Sequence, residues 1–265
     1  MERVKVVIPI YKSKLDEFDL LNIKKNIQTL KYYTFSIICP DGLDISEIEK
    51  LLNNINYEIV RFPPNYFKDI DGYNRLMLSE LFYKEYLNIE YVLICQTDVY
   101  VFRDELNYWM SQGYDYIGAP WVGTPQNLYI KSLVYIENSL RKFRGKKKKG
   151  YDHLFKVGNG GFSLRKVNKY YQIVVMHREL IEYYLEKKEP NNYHIEDVFF
   201  SLKVPTLDSS FNIPNWKTAL NFCIDRKPKL ALKLNKGKLP FAIHGYNKPK
   251  VSKFWKSIMK NEFKE

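Results

Sequence analysis

The sequence predicts an α/β chain with a mostly parallel central sheet flanked by helices, and three observations predict it. Short β-branched runs recur through the first hundred residues, stretches with apolar residues at helical spacing separate them, and each run ends in Pro, Gly or a polar cluster. Strands buried on both faces read as such unbroken apolar runs. Alternation with helices then implies right-handed crossovers between parallel strands.

Val4 to Ile10, VKVVIPI, reads as the first strand. Ser13 with Asp16 three residues later resembles a capping box, after which Leu20, Ile23, Ile27 and Leu30 repeat at helical spacing. Phe35 to Cys39 is a second strand that breaks at Pro40, Asp41 and Gly42. Ser46 and Glu49 suggest another cap, with Ile48, Leu52 and Ile55 as the buried stripe. Tyr57 to Phe62 is a third strand, closed by Pro63 and Pro64, and Tyr73 to Leu87 reads as a helix turning Met77, Leu78, Leu81 and Phe82 inward.

That helix leads into Tyr91 to Phe102, YVLICQTDVYVF, the central strand, with Gln96, Thr97 and Asp98 where the apolar run turns. Ligands of open α/β sheets gather outside the carboxyl ends of the strands, so Asp98 is a candidate for holding a metal or a phosphate; capping a turn is the alternative. The half-domain has the style of a nucleotide binder. It contains no GxGxxG and no Walker lysine loop, which weighs against dinucleotide and P-loop readings.

Beyond Phe102, Arg103 to Met110 reads as a short helix and Tyr114 to Trp121, YDYIGAPW, as a strand with a turn. Thr124 to Asp152 lacks clear periodicity and carries a strongly basic stretch, either a solvated loop or an electrostatic lip for a phosphate-bearing or membrane-bound substrate. Val157 to Arg165, VGNGGFSLR, is either a tight hairpin around Asn159 and Gly160 or a backbone brought against a ligand. Val167 to Glu189 follows as one long helix closed by Pro190. Glu196 and Asp197 precede an apolar helical turn, a place where the helix dipole favours acids whatever they do. PFAIHGY ends at His244 and Gly245, where the imidazole is either packed or the partner of a carboxylate such as Asp98. In the tail, Val251, Phe254, Trp255, Ile258, Met259 and Phe263 share a helix face, and Lys253, Lys256, Lys260 and Lys264 lie off it. That pattern suits a closing helix packed on the core or an interfacial helix on anionic lipid.

Composition narrows the class. At 265 residues the chain fits one large domain or two small ones, and a net charge of +12 implies anionic company. No nucleic acid is expected, because neither an RNP string nor a zinc pattern accompanies the charge. No run approaches the roughly 18 apolar residues of a membrane span, and MERVKVVIPIYK lacks a signal-peptide layout, so a cytoplasmic protein is expected. Cys39, Cys95 and Cys223 fit reduced core thiols.

The strings QTDVYVFRDEL, YDYIGAPW, GNGGFSLR, EDVFFS and PFAIHG, in this order, make the sequence from Val4 to Asn247 resemble a glycosyltransferase of the GT-A type, and in particular a poorly characterised bacterial glycosyltransferase-like family. The resemblance implies a single GT-A (Rossmann-like) domain over residues 1–247, with a nucleotide-binding half at 1–102, an acceptor and catalytic half at 103–247, and residues 248–265 as a basic amphipathic tail. It implies a divalent metal, Mn or Mg, held by Asp98 and His244. Asp98 stands at the last acid of the Asp-x-Asp signature, and Gln96 replaces the first. Pro9, Ile10, Tyr11, Asp41, Asn74, Arg75, Gln96, Thr97, Asp98, Gly160, Gly161 and Lys248 match positions that would hold a nucleotide-sugar donor. Asp197, last acid of the x-Glu-Asp motif, would be the general base of an inverting enzyme, with Glu196 in reserve. Trp121, Tyr116 or Phe162 would wall the sugar. The implied activity is hexosyltransferase-like transfer to a glycan or lipid-linked glycan in bacterial surface polysaccharide synthesis, at the inner face of the membrane. A non-catalytic nucleotide-sugar or glycan binding module is the alternative.

Overall fold

The structure is a computed structural model that describes residues 2–123, 136, 139, 140, 143, 153–188 and 191–262. The stretch from Thr124 to Asp152 lies almost wholly outside them, as do Pro190, Phe263 and Lys264. Nine strands are described: β1 (Val4–Pro9), β2 (Thr34–Pro40), β3 (Tyr57–Phe62), β4 (Tyr91–Cys95), β5 (Val99–Val101), β6 (Tyr116–Gly118), β7 (Phe162–Lys166), β8 (Cys223–Ile224) and β9 (Ala242–His244). Six form the main sheet in the order β3-β2-β1-β4-β7-β6, and three form a small sheet in the order β5-β9-β8.

The first four strands of the main sheet are parallel, as alternating strands and helices require, while β7 pairs antiparallel with both β4 and β6. β1 and β4 are buried at every residue, which is why both read as unbroken apolar runs. Edge strand β3 alternates instead. The run YVLICQTDVYVF is two strands in two sheets, and the Gln96–Thr97–Asp98 turn hands the chain from one to the other.

Helix boundaries depart from the sequence reading where side chains compete for backbone groups. Asp16, and not Ser13, caps the helix Glu17–Thr29, accepting from Asp19 N. Ser46 likewise fails as a cap: Ile45 takes that position, and Asp44 Oδ1 accepts from Ser46 N. The expected helix Tyr73–Leu87 is two, Ile70–Met77 and Glu80–Lys84, because Ser79 adopts extended backbone, donates to Leu76 O and accepts from Phe82 N. The expected helix Val167–Glu189 also divides, into Val167–Met176 and Arg178–Lys187, at His177. No hairpin joins at Asn159 and Gly160, since β7 pairs with β6 from far earlier in the chain.

The three cysteines are buried and free. The helix Pro249–Glu262 inserts Trp255 and Met259 into a second apolar cluster with Tyr100, Phe102, Ile243 and Tyr246, and Val251, Phe254 and Ile258 pack against it. Its apolar face therefore meets protein, which corrects the interfacial reading of that face. No described helix is long and apolar enough to cross a membrane.

Candidate functional site

Three strand registers draw four distant segments together. Cys95 pairs with Phe162, so the next residues meet and Gln96 N donates to Gly161 O at 2.9 Å. Val99 pairs with His244, which brings Asp98 beside Gly245, whose N donates to Asp98 O at 3.0 Å. Ile224 pairs with Ile243, so Asp225 follows β8 where His244 ends β9. The helix Glu17–Thr29 straps the turn from behind: Asn22 Nδ2 donates to Thr97 O, while Asn26 donates to Val99 O and accepts from Val101 N. Tyr246 completes the strap through Asn22 Oδ1.

His244 Nε2 stands 3.1 Å from Asp98 Oδ1 and 3.2 Å from Gln96 Oε1, and its Nδ1 lies 3.3 Å from Asp225 Oδ1. Burial alone would depress the imidazole pKa, but bonding to Asp225 and Asp98 outweighs it and lifts the value to about 9. Burial would raise Asp98, and its bond to His244 wins, holding the carboxyl below its usual range. Asp98 remains one-quarter exposed, so this cluster faces solvent through it.

Glu196 and Asp197 divide. Glu196 is closed in by Arg165, whose Nη2 lies 3.1 Å from both carboxylate oxygens, and its backbone N donates to Asn74 Oδ1. Arg165 also donates to Ser163, Tyr83 and Gly160 O. Burial, opposed by Arg165 and helped by Asp197, pushes Glu196 up to about 7. Asp197 has no such partner. Its Oδ1 is buried without a hydrogen bond, and burial raises its pKa against the backbone amides of Val198, Gly160 and Asn159. The two acids start the helix Glu196–Val198, which passes into a π-helical turn, Phe199–Lys203.

One dipeptide separates the two groups. A methyl at Gly160 would overlap Glu196 Oε1, and one at Gly161 would overlap His244 Nε2 and lie 2.7 Å from Gln96 Oε1. These glycines are required because the protein's own charged side chains press on the backbone.

Beside Asp98 opens a cleft of about 530 Å³ lined by Pro9, Tyr11, Gln96, Thr97 and Asp98, five of the expected donor-binding residues. Lys12, Asp19, Phe67, Ile70, Tyr73 and Asn247 line it as well, and sequence reasoning missed them. Phe67 and Ile70 fall in the polar loop after Pro64 and at the start of the next helix, where no periodicity marks them. Asp225 was also missed, although it ends an apolar run (NFCID) as Asp98 does.

Other expected contacts lie elsewhere. Ile10 is buried, its N donating to Ile38 O. Asp41 turns outward after β2. Asn74 is buried against Ile70 O and Glu196 N, and Arg75 pairs with Glu182 at 2.7 Å beside a separate pocket, so neither lines the cleft. Lys248 reaches Asp225 Oδ1 at 3.7 Å. Tyr116 and Phe162 are sealed in the core, Phe162 stacked on Phe222, which removes them as a sugar wall. Trp121 stays half-buried, its ring against Gly158.

The family model described as "Protein of unknown function (DUF5672)" matches residues 56–244, from before β3 to His244. The chain belongs to the DUF5672 family. No curated protein matches the DUF5672 chain in sequence. Its fold resembles that of mouse xyloside xylosyltransferase 1 in its apo form, with a TM-score of 0.55, 9% identity, and 94% of this chain and 99% of that chain covered. It also resembles the galactosyltransferase LgtC in complex with donor and acceptor sugar analogues, with a TM-score of 0.50, 16% identity, and 92% and 87% covered. The DUF5672 chain thus has the GT-A fold of these glycosyltransferases.

Among the described residues, no three His, Cys, Asp or Glu side chains are grouped as a metal site. The donors that do converge are His244 Nε2, Asp98 Oδ1 and the amide oxygen Gln96 Oε1. An imidazole, a carboxylate and an amide carbonyl together suit a divalent cation such as Mn. Asp225 at the other ring nitrogen is the arrangement usual behind a ligating histidine.

Proposed function

We propose that this protein is a nucleotide-sugar-dependent glycosyltransferase in which Asp98 and His244, with Gln96 as a neutral third donor, hold a divalent metal. The observation that carries the reading is that His244, paired with Asp98 at the cleft, packs against Gly161 while the neighbouring backbone amide of Gly160 acts on Asp197. A metal bound there would supply positive charge at the donor diphosphate. Asp197, its proton affinity raised by burial and its Oδ1 unpartnered, takes the proton of the acceptor hydroxyl. The acceptor oxygen forms its bond to the anomeric carbon as the bond to the diphosphate oxygen breaks, and the diphosphate leaves with that electron pair. Direct displacement of this kind inverts the anomeric centre. Glu196 is the poorer base because Arg165 already holds both its oxygens.

Of the three expected wall residues only Trp121 escapes full burial, and Tyr11, Phe67 and Tyr73 in the cleft are further aromatic faces for a sugar ring. The proposed acceptor is a glycan or lipid-linked glycan of a bacterial surface polysaccharide, and the net charge of +12 suits an anionic one. The sugar analogues bound to LgtC, which shares the fold, make sugar nucleotides the first ligands to try.

A screen of nucleotide sugars with and without Mn²⁺ for thermal stabilisation tests donor binding, since a ligand of the folded form raises the midpoint. With the donor found, Asp197→Asn and His244→Ala should abolish turnover in folded protein, and NMR of the first-formed product gives its anomeric configuration. Full turnover in either variant overturns the roles. Gln96 in place of the first signature acid favours a second reading, a non-catalytic binding module. Calorimetric binding with no transfer or hydrolysis would select it.

A further inference from the structure

The register that ends β9 at His244 delivers a carboxylate to the far side of the ring. Asp225 follows β8, its side chain only 3% exposed, and faces His244 Nδ1 at 3.3 Å. Both Asp225 Oδ1 and His244 Nδ1 are buried, and with no better-aligned partner for either atom, each is the other's contact at 3.3 Å. The second oxygen is tied down. Asp225 Oδ2 accepts from Asn159 Nδ2 at 3.1 Å, and Asn159 Oδ1 in turn accepts from Gly161 N at 3.1 Å. Asn159 holds a positive φ of 70° to do so, a conformation that Asn tolerates better than most residues. The nearest Arg and Lys side chains, Arg226 at 3.4 Å and Lys248 at 3.7 Å, are 73% and 54% exposed.

We propose that Asp225 is a positioning residue: it orients the His244 ring so that Nε2 points toward Asp98 and Gln96, and through Asn159 it fixes the same ring against the Gly160–Gly161 dipeptide. The inference rests on the metal-assisted reading above. Asp225 does not line the cleft, so it acts through His244 and not on the substrate. Its strand neighbours Cys223 and Ile224 are fully buried apolar residues, and an apolar side chain at 225 would continue that pattern. A desolvated carboxylate is costly there unless its partners need it. Carboxylates behind ligating histidines fix ring orientation, and losing one typically lowers metal affinity about 10- to 100-fold.

The test titrates Mn²⁺ into the full chain by calorimetry in the presence of UDP and, separately, GDP. Wild type should bind Mn²⁺ and His244→Ala should lose it. If wild type does not bind Mn²⁺ with either nucleotide, the metal reading fails and the proposal falls with it. Where that control holds, Asp225→Asn with an unchanged fold should raise the Mn²⁺ dissociation constant about 10- to 100-fold. Its affinity for nucleotide without metal should stay within about twofold, a split that a general loosening of the fold would not give. A Mn²⁺ constant within about twofold of wild type overturns the proposal. Should Asp225→Asn not fold, Asn159→Ala keeps the carboxylate and removes its tether. Several-fold weaker Mn²⁺ binding supports the proposal in that variant, and unchanged binding overturns it.

Discussion

Two charged clusters flank the Gly160–Gly161 dipeptide, and they differ in what surrounds them. Arg165 and Glu196, 0% and 6% exposed, satisfy each other among Tyr83, Ser163 and Asn74. Asp98, His244 and Asp225 converge from three segments and open to the cleft through Asp98. Both contain a motif acid at the start or end of an element. Solvent access and existing partners, not membership of a motif, separate an acid that holds the fold from one free to meet a ligand.

Removing Arg165 tests that contrast most severely. Arg165→Met strands Glu196 in a buried site, and breaking a buried pair from one side costs roughly 3–5 kcal/mol. Urea denaturation should show a loss of that size. His244→Ala should cost less stability, because Asp98 already reaches water and the buried Asp225 keeps Asn159, Arg226 and Lys248, while removing metal-dependent nucleotide binding. Equal stability losses would erase the distinction between closed and open clusters.

The two glycines sharpen it next. Gly160→Ala presses on a carboxylate that Arg165 pins, and overpacking of this kind costs about 1–3 kcal/mol. Gly161→Ala presses on His244 and Gln96 at the open side. The first should lower the thermal midpoint more, and the second should weaken Mn²⁺-dependent nucleotide binding more. Reversal of that order would show that the ring, and not the ion pair, is the rigid neighbour.

Third comes pH. In the fold, Glu196 moves from its ordinary 4.5 to about 7, chiefly through burial. A raised folded-state value means that the protonated form favours the fold. Its contribution is complete below pH 4.5 and is lost as pH climbs through about 7. The wild-type thermal midpoint should therefore fall across that window more steeply than that of Glu196→Gln. Asp197, shifted in the same sense, leaves the variant a residual slope. Parallel profiles would mean that Arg165 keeps Glu196 ionised throughout.

The parallel half was legible because its strands are buried on both faces and write that burial as apolar runs. Asp98 was legible for the same reason, as a polar interruption of such a run. Asp225 carries the same signal after a strand of two residues, too short to register as a strand in sequence. Asn74 and Arg75 were misread because residues on a polar helix face look alike, whether they meet a ligand, a neighbouring backbone or Glu182. Arg165 gave no sign of its role. It sits in a strand-like string, and only the fold shows that the sheet turns it inward to Glu196.

The smallest expected effect belongs to Tyr73, which stands between the clusters. It lines the cleft, yet its hydroxyl is buried close to Gln96 without a well-formed hydrogen bond, and burial, against the pull of Arg165 and Gln96, pushes its pKa up to about 12. Deleting an unsatisfied buried hydroxyl returns a desolvation cost, so Tyr73→Phe should leave stability unchanged or raise it by up to about 1 kcal/mol. The phenyl face stays in the cleft, and nucleotide affinity should remain within about twofold of wild type, since the lost atom is sealed from a ligand. A several-fold weaker affinity at unchanged stability would assign that hydroxyl to the open cluster, turned toward Gln96 when a ligand is bound, and would move the boundary between the two regions to its other side.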